Sequence, residues 1–209
     1  MDGDRLERAW AAGFFDGEGW AGTSGRGLFA QINQADPSGM PDVLGRFQRA
    51  VGVGRLGGPV LEQGKEPLSR WVASSRSDVT DAFAALAPWL GEVKRKEFEA
   101  TLAIKGAASA WESAPMGERT AWAAGLFDGE GWTGLFEYSS RPGYYSVELG
   151  ITQSGRDEIP QVLRRIAELA GRGHFYGPYQ GDPRHKPSIA GRPSVRRMSA
   201  LFSIYFFRA

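Results

Sequence analysis

Residues 9–20 read AWAAGFFDGEGW, and residues 121–132 read AWAAGLFDGEGW. Eleven of the twelve positions are identical at an offset of 112; only Phe14 against Leu126 differs. A repeat on the scale of a domain governs everything else, because each copy must build its own version of the same structure. Fainter matches extend it at an offset of 119. Ile32 and Gln34 match Ile151 and Gln153, Pro41 matches Pro160, and Val43-Leu44 match Val162-Leu163. Further on, Gly52, Gly54, Gly58 and Pro59 match Gly171, Gly173, Gly177 and Pro178. The step from 112 to 119 is a seven-residue lengthening of the turn between the first two strands of the second copy. The chain is a fused tandem of two similar units.

Working outward from the repeat, residues 4–17 and 117–129 read as helices that break at Gly19 and Gly131. Two extended segments follow each. In the first copy Leu28, Ala30 and Ile32 alternate with Phe29, Gln31 and Asn33; in the second, Val147, Leu149 and Ile151 form the inward face against Ser146, Glu148, Gly150 and Thr152. Helices are expected near 40–50 and 157–170, and further strands near 53–57, 68–74, 173–177 and 201–207. Each copy therefore reads αββαββ. The first adds helical residues 76–105, with Pro88-Trp89-Leu90 and the basic run Lys94-Arg95-Lys96, which the second lacks. The expected domains are 1–108 and 117–209, joined by a linker over 109–116, and the fold class is α+β.

Composition narrows the chemistry. The 209 residues include no Cys and only two His, His174 and His185, which removes thiolate sites, disulfides, His-rich zinc sites and His-based triads. Catalysis must rest on carboxylates, amines or hydroxyls. No apolar run approaches the ~18–20 residues of a membrane span, and the acidic start Met1-Asp2-Gly3-Asp4 is unlike a signal peptide. The expected location is cytoplasmic, or an organellar matrix if the gene is organellar.

Within the motif helix, Ala9, Gly13 and Gly17 recur at i, i+4 and i+8, as do Ala121, Gly125 and Gly129, with Ala12 and Ala124 beside them. Such a strip lets two helices approach far more closely than leucine would. A helical Gly costs about 1 kcal/mol against Ala, so close pairing is the natural compensation. The acids Asp16, Glu18, Asp128 and Glu130 stand at helix C-termini, where the macrodipole disfavours a carboxylate by up to ~1 kcal/mol. Pairing the helices gathers like charges at one end. Hard divalent cations resolve that conflict: Mg²⁺ takes one or two carboxylates and completes its shell with water and phosphate oxygens.

Ala11-Ala12-Gly13-Phe14-Phe15-Asp16-Gly17-Glu18-Gly19 and Ala123-Ala124-Gly125-Leu126-Phe127-Asp128-Gly129-Glu130-Gly131 resemble two copies of the motif that names the LAGLIDADG homing endonucleases. The αββαββ order is similar to that family's, and the resemblance spans nearly the whole chain. It implies tandem pseudo-twofold repeats, two antiparallel sheets forming a DNA-binding saddle, and motif helices packed at the interface. It also implies a monomeric, metal-dependent endonuclease. This would hydrolyse phosphodiester bonds of double-stranded DNA at a long asymmetric site, cutting staggered across the minor groove, with Mg²⁺ as cofactor and Mn²⁺ as substitute.

Residue by residue, the resemblance implies that Glu18 and Glu130 bind the metal ions, with Gly17 and Gly129 beside them in the metal set, while Asp16 and Asp128 brace the helix ends. Gln31 and Lys94 are similar in position to a Gln and a Lys that order water or steady transition-state charge; Lys96 is the alternative to Lys94. The metal-activated water would attack the phosphate in line. The sheet faces would lie in the major groove, which nominates Asn33, Ser146, Glu148 and Thr152 on the second strands. Arg26 and Arg141 lie on turn tips, and Arg55, Arg70, Arg172 and His174 on or beside the third and fourth strands.

The second half-site departs from the pattern, since Gly150 stands where Gln31 would be and the Lys has no counterpart up to Ala209. Unlike half-sites and a lost or weakened cleavage activity both fit that departure. An RNA maturase and a non-cleaving DNA-binding regulator on the same scaffold are the rival functions; a structural pseudo-dimer is a third. No intein ends are evident, which favours an intron-encoded or free-standing enzyme. The formal net charge of +1 conceals a lopsided distribution: residues 172–209 carry seven basic residues and one acid, and residues 1–171 carry 18 basic and 23 acidic. The basic stretch near 180–199, with Arg196 and Arg197, is therefore expected to clamp the backbone of one DNA arm, and the C-terminal half to supply most of the salt-dependent affinity.

Overall fold

The computed structural model describes residues 2–25, 27–37, 39–61, 66–137, 143–155, 158–171, 173–179 and 200–208. The first repeat runs α1 (Asp2–Glu18), β1 (Gly19–Ser24), β2 (Gly27–Ala35), α2 (Asp42–Val51), β3 (Arg55–Val60) and β4 (Leu68–Ala73). Helices α3 (Arg76–Leu86) and α4 (Glu92–Leu102) follow, then a 3-10 turn at Trp111–Ser113. The second repeat runs α5 (Met116–Glu130), β5 (Gly131–Glu137), β6 (Tyr145–Gly155), α6 (Gln161–Ala170), β7 (His174–Tyr179) and β8 (Ala200–Arg208). Both repeats thus have the order αββαββ, in an α+β fold.

Each repeat makes a four-stranded antiparallel sheet with its third and fourth strands exchanged in space, in the orders β1-β2-β4-β3 and β5-β6-β8-β7. The registers match: Gly19 pairs with Ile32 as Gly131 pairs with Ile151, and Trp20 pairs with Gln31 as Trp132 pairs with Gly150. Several of the faint matches have local reasons. Pro41 and Pro160 open α2 and α6, and Gly52 and Gly171 close them in the left-handed region at φ 80° and 61°. The register shifts between Gly57 and Val60, and again between Tyr176 and Tyr179, so each Gly-Pro pair lies where a ladder hydrogen bond is lost.

By contact the chain divides into residues 1–129 and 130–209, not at the expected linker 109–116, because α5 is tied by side chains to α1 and to the segment before α4. In the first unit the core is aromatic: Phe47 meets Phe14, Phe15 and Trp71, and Phe98 meets Phe15 and Phe83. Each of these rings, almost fully buried, contributes about 1.5–3 kcal/mol of transfer free energy. Helices α3 and α4 pack over β1 and β2, and Ser75 caps α3 by accepting from the Asp78 amide at 3.0 Å.

The second unit, taken by itself, contains α6 against β8. Its expected inward face is buried only in part: Ile151 is buried and Leu149 half-buried, but Val147 is 51% exposed and Leu135 on β5 66%. Val147 thus faces solvent instead of the expected core. Among the described residues this unit has no counterpart of α3 and α4, and those are the helices that cover the equivalent strands in the first unit.

Candidate functional site

The site is built on the two motif helices. A Cβ added to Gly13 would stand 1.9 Å from the Trp122 carbonyl oxygen, and one added to Gly125 would stand 1.9 Å from the Trp10 carbonyl oxygen. The α1 and α5 backbones touch reciprocally at these two glycines. Further along, a Cβ at Gly129 would lie 3.6 Å from the Gly17 Cα and 3.1 Å from the Glu18 Cγ. Ala9 and Ala12 are fully buried and Ala121 is half-buried, whereas Ala124 is exposed and stands outside the seam. Gly19 is needed for a different reason, since a Cβ there would fall 2.3 Å from the Phe15 ring.

The motif tryptophans lock the seam. Trp10 Nε1 donates to Asp128 and Trp122 Nε1 donates to Asp16, both at 2.8 Å. Each indole therefore bonds the penultimate acid of the other helix. Asp16, only 3% exposed, also accepts from the Gly91 amide at 2.8 and 3.0 Å, which satisfies the N-cap of α4. The Asp128 side chain is 45% exposed and lies 3.9 Å from Arg46, whose guanidinium stacks 3.8 Å over Trp10 and pairs with Glu7. Both aspartates act as braces. At the other end of the helices Glu118, buried, accepts from Arg5 at 2.6 and 3.1 Å and from Trp89 at 2.9 Å.

Glu18 ends α1 half-buried. Burial pushes its carboxyl above the ordinary value, and a hydrogen bond from the Gln34 side chain offsets part of that. No cationic side chain pairs with it among the described residues. A desolvated carboxylate at the negative end of a helix, held by a neutral donor, suits a hard cation. No group of three His, Cys, Asp or Glu side chains that could hold a metal occurs among the described residues. A cation here would therefore draw on isolated carboxylates, water and the oxygens of a bound anion. Glu130 ends α5, half-buried.

Gln31 lies on the face of the sheet opposite Ile32, in register with Trp20 and Val72. The amide that engages Glu18 is that of Gln34, on the alternate face. Lys94 sits in the first turn of α4, half-buried, 3.2 Å from Glu97, and Glu97 accepts from the Ala21 amide of β1 at 3.3 Å. Lys96 is exposed and pairs with Glu92. Gly150 has its own reason: a Cβ there would fall 2.6 Å from the Trp132 indole, so the absence of a Gln side chain is what seats that ring.

No protein-family model and no curated protein sequence matches the chain. Solved structures do. The LAGLIDADG homing endonuclease I-GzeII in complex with its DNA target aligns with a TM-score of 0.60 at 13% identity, over 96% of this chain and 78% of that one. The fold is that of the LAGLIDADG homing endonucleases. The LAGLIDADG meganuclease I-AabMI bound to uncleaved DNA aligns with a TM-score of 0.59 at 16% identity, over 95% of this chain and 78% of that one. I-SmaMI, bound to an uncleaved DNA target in the presence of calcium ions, gives 0.56 at 12% identity, over 96% and 79%.

On this LAGLIDADG fold the outer face of the first sheet carries two cross-strand rows. One runs Trp20, Gln31, Val72, Arg55, and the next Asn33, Arg70, Gly57. Asn33, Arg55 and Arg70 are exposed, and Trp20 is 46% exposed with its ring edge-on to Phe29 at 4.5 Å. In the second sheet Thr152 is half-buried on β6 and His174 exposed on β7. Ser146 and Glu148 lie on β6, but their side chains are outside the described residues, as are Arg26, Arg141, Arg172, Arg196, Arg197 and the whole basic stretch 180–199.

The motif reading passed over Trp10, Trp122 and Gln34. Their signal was present: both Trp residues recur in the repeat, a buried indole N–H requires an acceptor, and Gln34 is matched by Gln153. Arg46 carried no such signal, because its partners Glu7 and Asp128 are 39 and 82 positions away.

Proposed function

We propose that the protein is a site-specific double-stranded DNA endonuclease that uses divalent metal ions. The observation that carries this reading is Glu18: a desolvated carboxylate with no cationic partner among the described residues, at the end of a glycine-seamed motif helix, on a fold shared with solved homing endonucleases bound to DNA. Glu18 and Glu130 would hold the ions, beside Gly17 and Gly129. A bound Mg²⁺ would polarise the scissile phosphate and lower the pKa of a water at neutral pH.

The chain's own residues do the rest. Asp16 and Asp128 fix the helix ends so that the acid two residues on is presented in a set direction. The guanidinium groups of Arg55 and Arg70 are suited to phosphate oxygens, and Asn33 and Gln31 to base edges. In this reading the chain works as a monomer on a long asymmetric target, and the basic stretch 180–199 contributes phosphate contacts.

The test is cleavage of supercoiled DNA bearing the native target with Mg²⁺ or Mn²⁺, by wild type, Glu18→Gln and Glu130→Gln. Wild type should linearise it, and each variant should lose double-strand cleavage while retaining binding. Binding of wild type without cleavage under either ion would instead identify a DNA-binding regulator. Preference for structured RNA over the duplex would identify a maturase.

A further inference from the structure

Five of the seven Trp residues are buried: Trp10, Trp71, Trp89, Trp111 and Trp122. The other two, Trp20 and Trp132, close the repeated stretch, each two positions beyond a motif glutamate. Trp20 is 46% exposed and Trp132 half-buried. Each opens a cross-strand row on the face of its own sheet that lies opposite the buried Ile32 or Ile151. The first row ends at Arg55 and the second at His174.

Each indole is laid down on a glycine, but not on the same one. A Cβ at Gly22, two positions further along β1, would fall 2.8 Å from the Trp20 ring, and a Cβ at Gly150, across the ladder from Trp132, would fall 2.6 Å from that ring. Glycine stands two positions beyond the Trp in both copies, as Gly22 and Gly134. The cross-strand position is what differs: Gln31 fills it in the first sheet, and Gly150 leaves it open in the second. The first indole is therefore turned along its strand, edge-on to Phe29 at 4.5 Å, and the second is turned across the sheet.

An indole left half in water and given a glycine to lie on is not serving the core. The first of these faces also carries the exposed Asn33, Arg55 and Arg70, so its charge favours a polyanion as the occupant. In a DNA groove the guanidinium groups take phosphates, and a ring lying on the sheet meets base edges. The apolar group that the major groove offers among those edges is the C5-methyl of thymine. A ring held down against the backbone is not placed to wedge between base pairs, as an intercalating side chain is.

We infer that Trp20 and Trp132 are specificity-determining contacts, one for each half of the DNA target, each packing against a thymine methyl group. Because the two indoles are turned differently, the two thymines stand at different distances from the centre of the site. This rests on the reading of the sheets as a surface for duplex DNA, and it does not require cleavage.

The test selects binding sequences from a pool of random-sequence duplex DNA with the full chain, as wild type, Trp20→Ala and Trp132→Ala. Selected duplexes are then remade with deoxyuridine, which lacks only the methyl group, in place of thymine. We expect one thymine preference in each half of the selected site, at unequal distances from its centre, and each variant should lose the preference in one half only. Deoxyuridine at that thymine should weaken binding by wild type about fourfold, the worth of one methyl-sized group removed from water, and should leave binding by the corresponding variant unchanged. The deoxyuridine measurement on wild type stands even if a variant fails to fold. Variants that keep both preferences, or wild-type binding that is indifferent to deoxyuridine at every selected thymine, overturn the contact, and thymines at equal distances overturn the unequal reading. Selection without cleavage sinks the endonuclease reading and leaves the two indoles as DNA contacts, whereas a duplex pool from which wild type selects nothing overturns both.

Discussion

Replacing Gly13 by Ala puts a methyl group 1.9 Å from the Trp122 carbonyl oxygen and 2.8 Å from the Leu126 nitrogen, both backbone atoms. Ordinary contact begins near 3.4 Å, so the helices must separate by about 1.5 Å. The 2.8 Å bonds from Trp10 to Asp128 and from Trp122 to Asp16 cannot span that gap. Ala gains about 1 kcal/mol of helix propensity. Against it stand about 1–3 kcal/mol of overpacking and about 1.5–3 kcal/mol for each hydrogen bond to a charged acceptor that is lost. The net is a destabilisation of at least about 3 kcal/mol, or a fall of at least about 6 °C in thermal midpoint for a chain of this size. Gly45→Ala, in α2, is the control, because its Cβ would meet only the tip of Arg49 at 3.4 Å. It should raise the midpoint by about 1–4 °C. Thermal unfolding followed by circular dichroism, with near-ultraviolet signal for the tryptophans, measures both. A Gly13→Ala midpoint at or above wild type would show that the seam is slack and that the glycines are there for another reason.

The same seam predicts unequal costs for its two aspartates. Asp16→Ala strands the buried Gly91 amide and the Trp122 indole and should cost about 2–5 kcal/mol in urea unfolding, whereas Asp128→Ala, at a half-exposed side chain, should cost clearly less. Glu18 has the opposite pH behaviour from Glu118. Burial raises the Glu18 carboxyl, so its contribution is fully present below the unfolded value and lost as pH rises through the folded one. Glu18→Gln should accordingly have a higher midpoint than wild type at neutral pH, with the gap closing as pH falls toward about 4. Glu118 is lowered by hydrogen bonds from Arg5 and Trp89; its stabilisation is present above the unfolded value and lost as pH falls through the folded one. Acid unfolding of Glu118→Gln should therefore be flatter with pH than that of wild type.

The fold was legible because its signals are local or repeated. Alternation over 28–33 marks β2, Pro41 and Gly52 bracket α2, and the repeat transfers both readings to β6 and α6. The boundary at 129/130 was not legible. It arises from contacts between residues more than 100 positions apart, such as Arg5 with Glu118 and Trp122 with Asp16, which no periodicity records. The exposure of Val147 escaped for a related reason: alternation shows which residues share a face, not whether a helix lies over it. At the site, the glycine seam followed from the motif's own spacing, whereas the preference for Glu18 and Glu130 over the two aspartates rested on the resemblance. That Gln34 rather than Gln31 bonds Glu18 did not, since strand positions three apart face opposite ways and only the end of α1 decides which face meets Glu18.

The two aspartates show how far a motif alone can carry an argument. Asp16 and Asp128 sit in stretches that differ at one position, Phe14 against Leu126, and each accepts an indole N–H at the same 2.8 Å. What separates them is the N-terminus of α4, whose Gly91 amide reaches Asp16 and has no counterpart at Asp128 among the described residues. One aspartate is thereby 3% exposed and structural twice over, closing the helix seam and capping a second helix. The other shares its seam bond with a neighbouring Arg46 in water-accessible surroundings. Near-equal sequence thus yields unequal bracing of the two aspartates, each two residues before a motif glutamate. If Glu18 and Glu130 each serve one strand of a duplex, Glu18 is the better braced, and the strand it serves should be cut first. Nicked intermediates from a plasmid carrying the target would then accumulate with one strand preferentially opened, and Asp16→Asn should narrow that preference more than Asp128→Asn. Equal nicking of both strands by wild type would mean that bracing at the helix ends does not reach the reacting carboxylates.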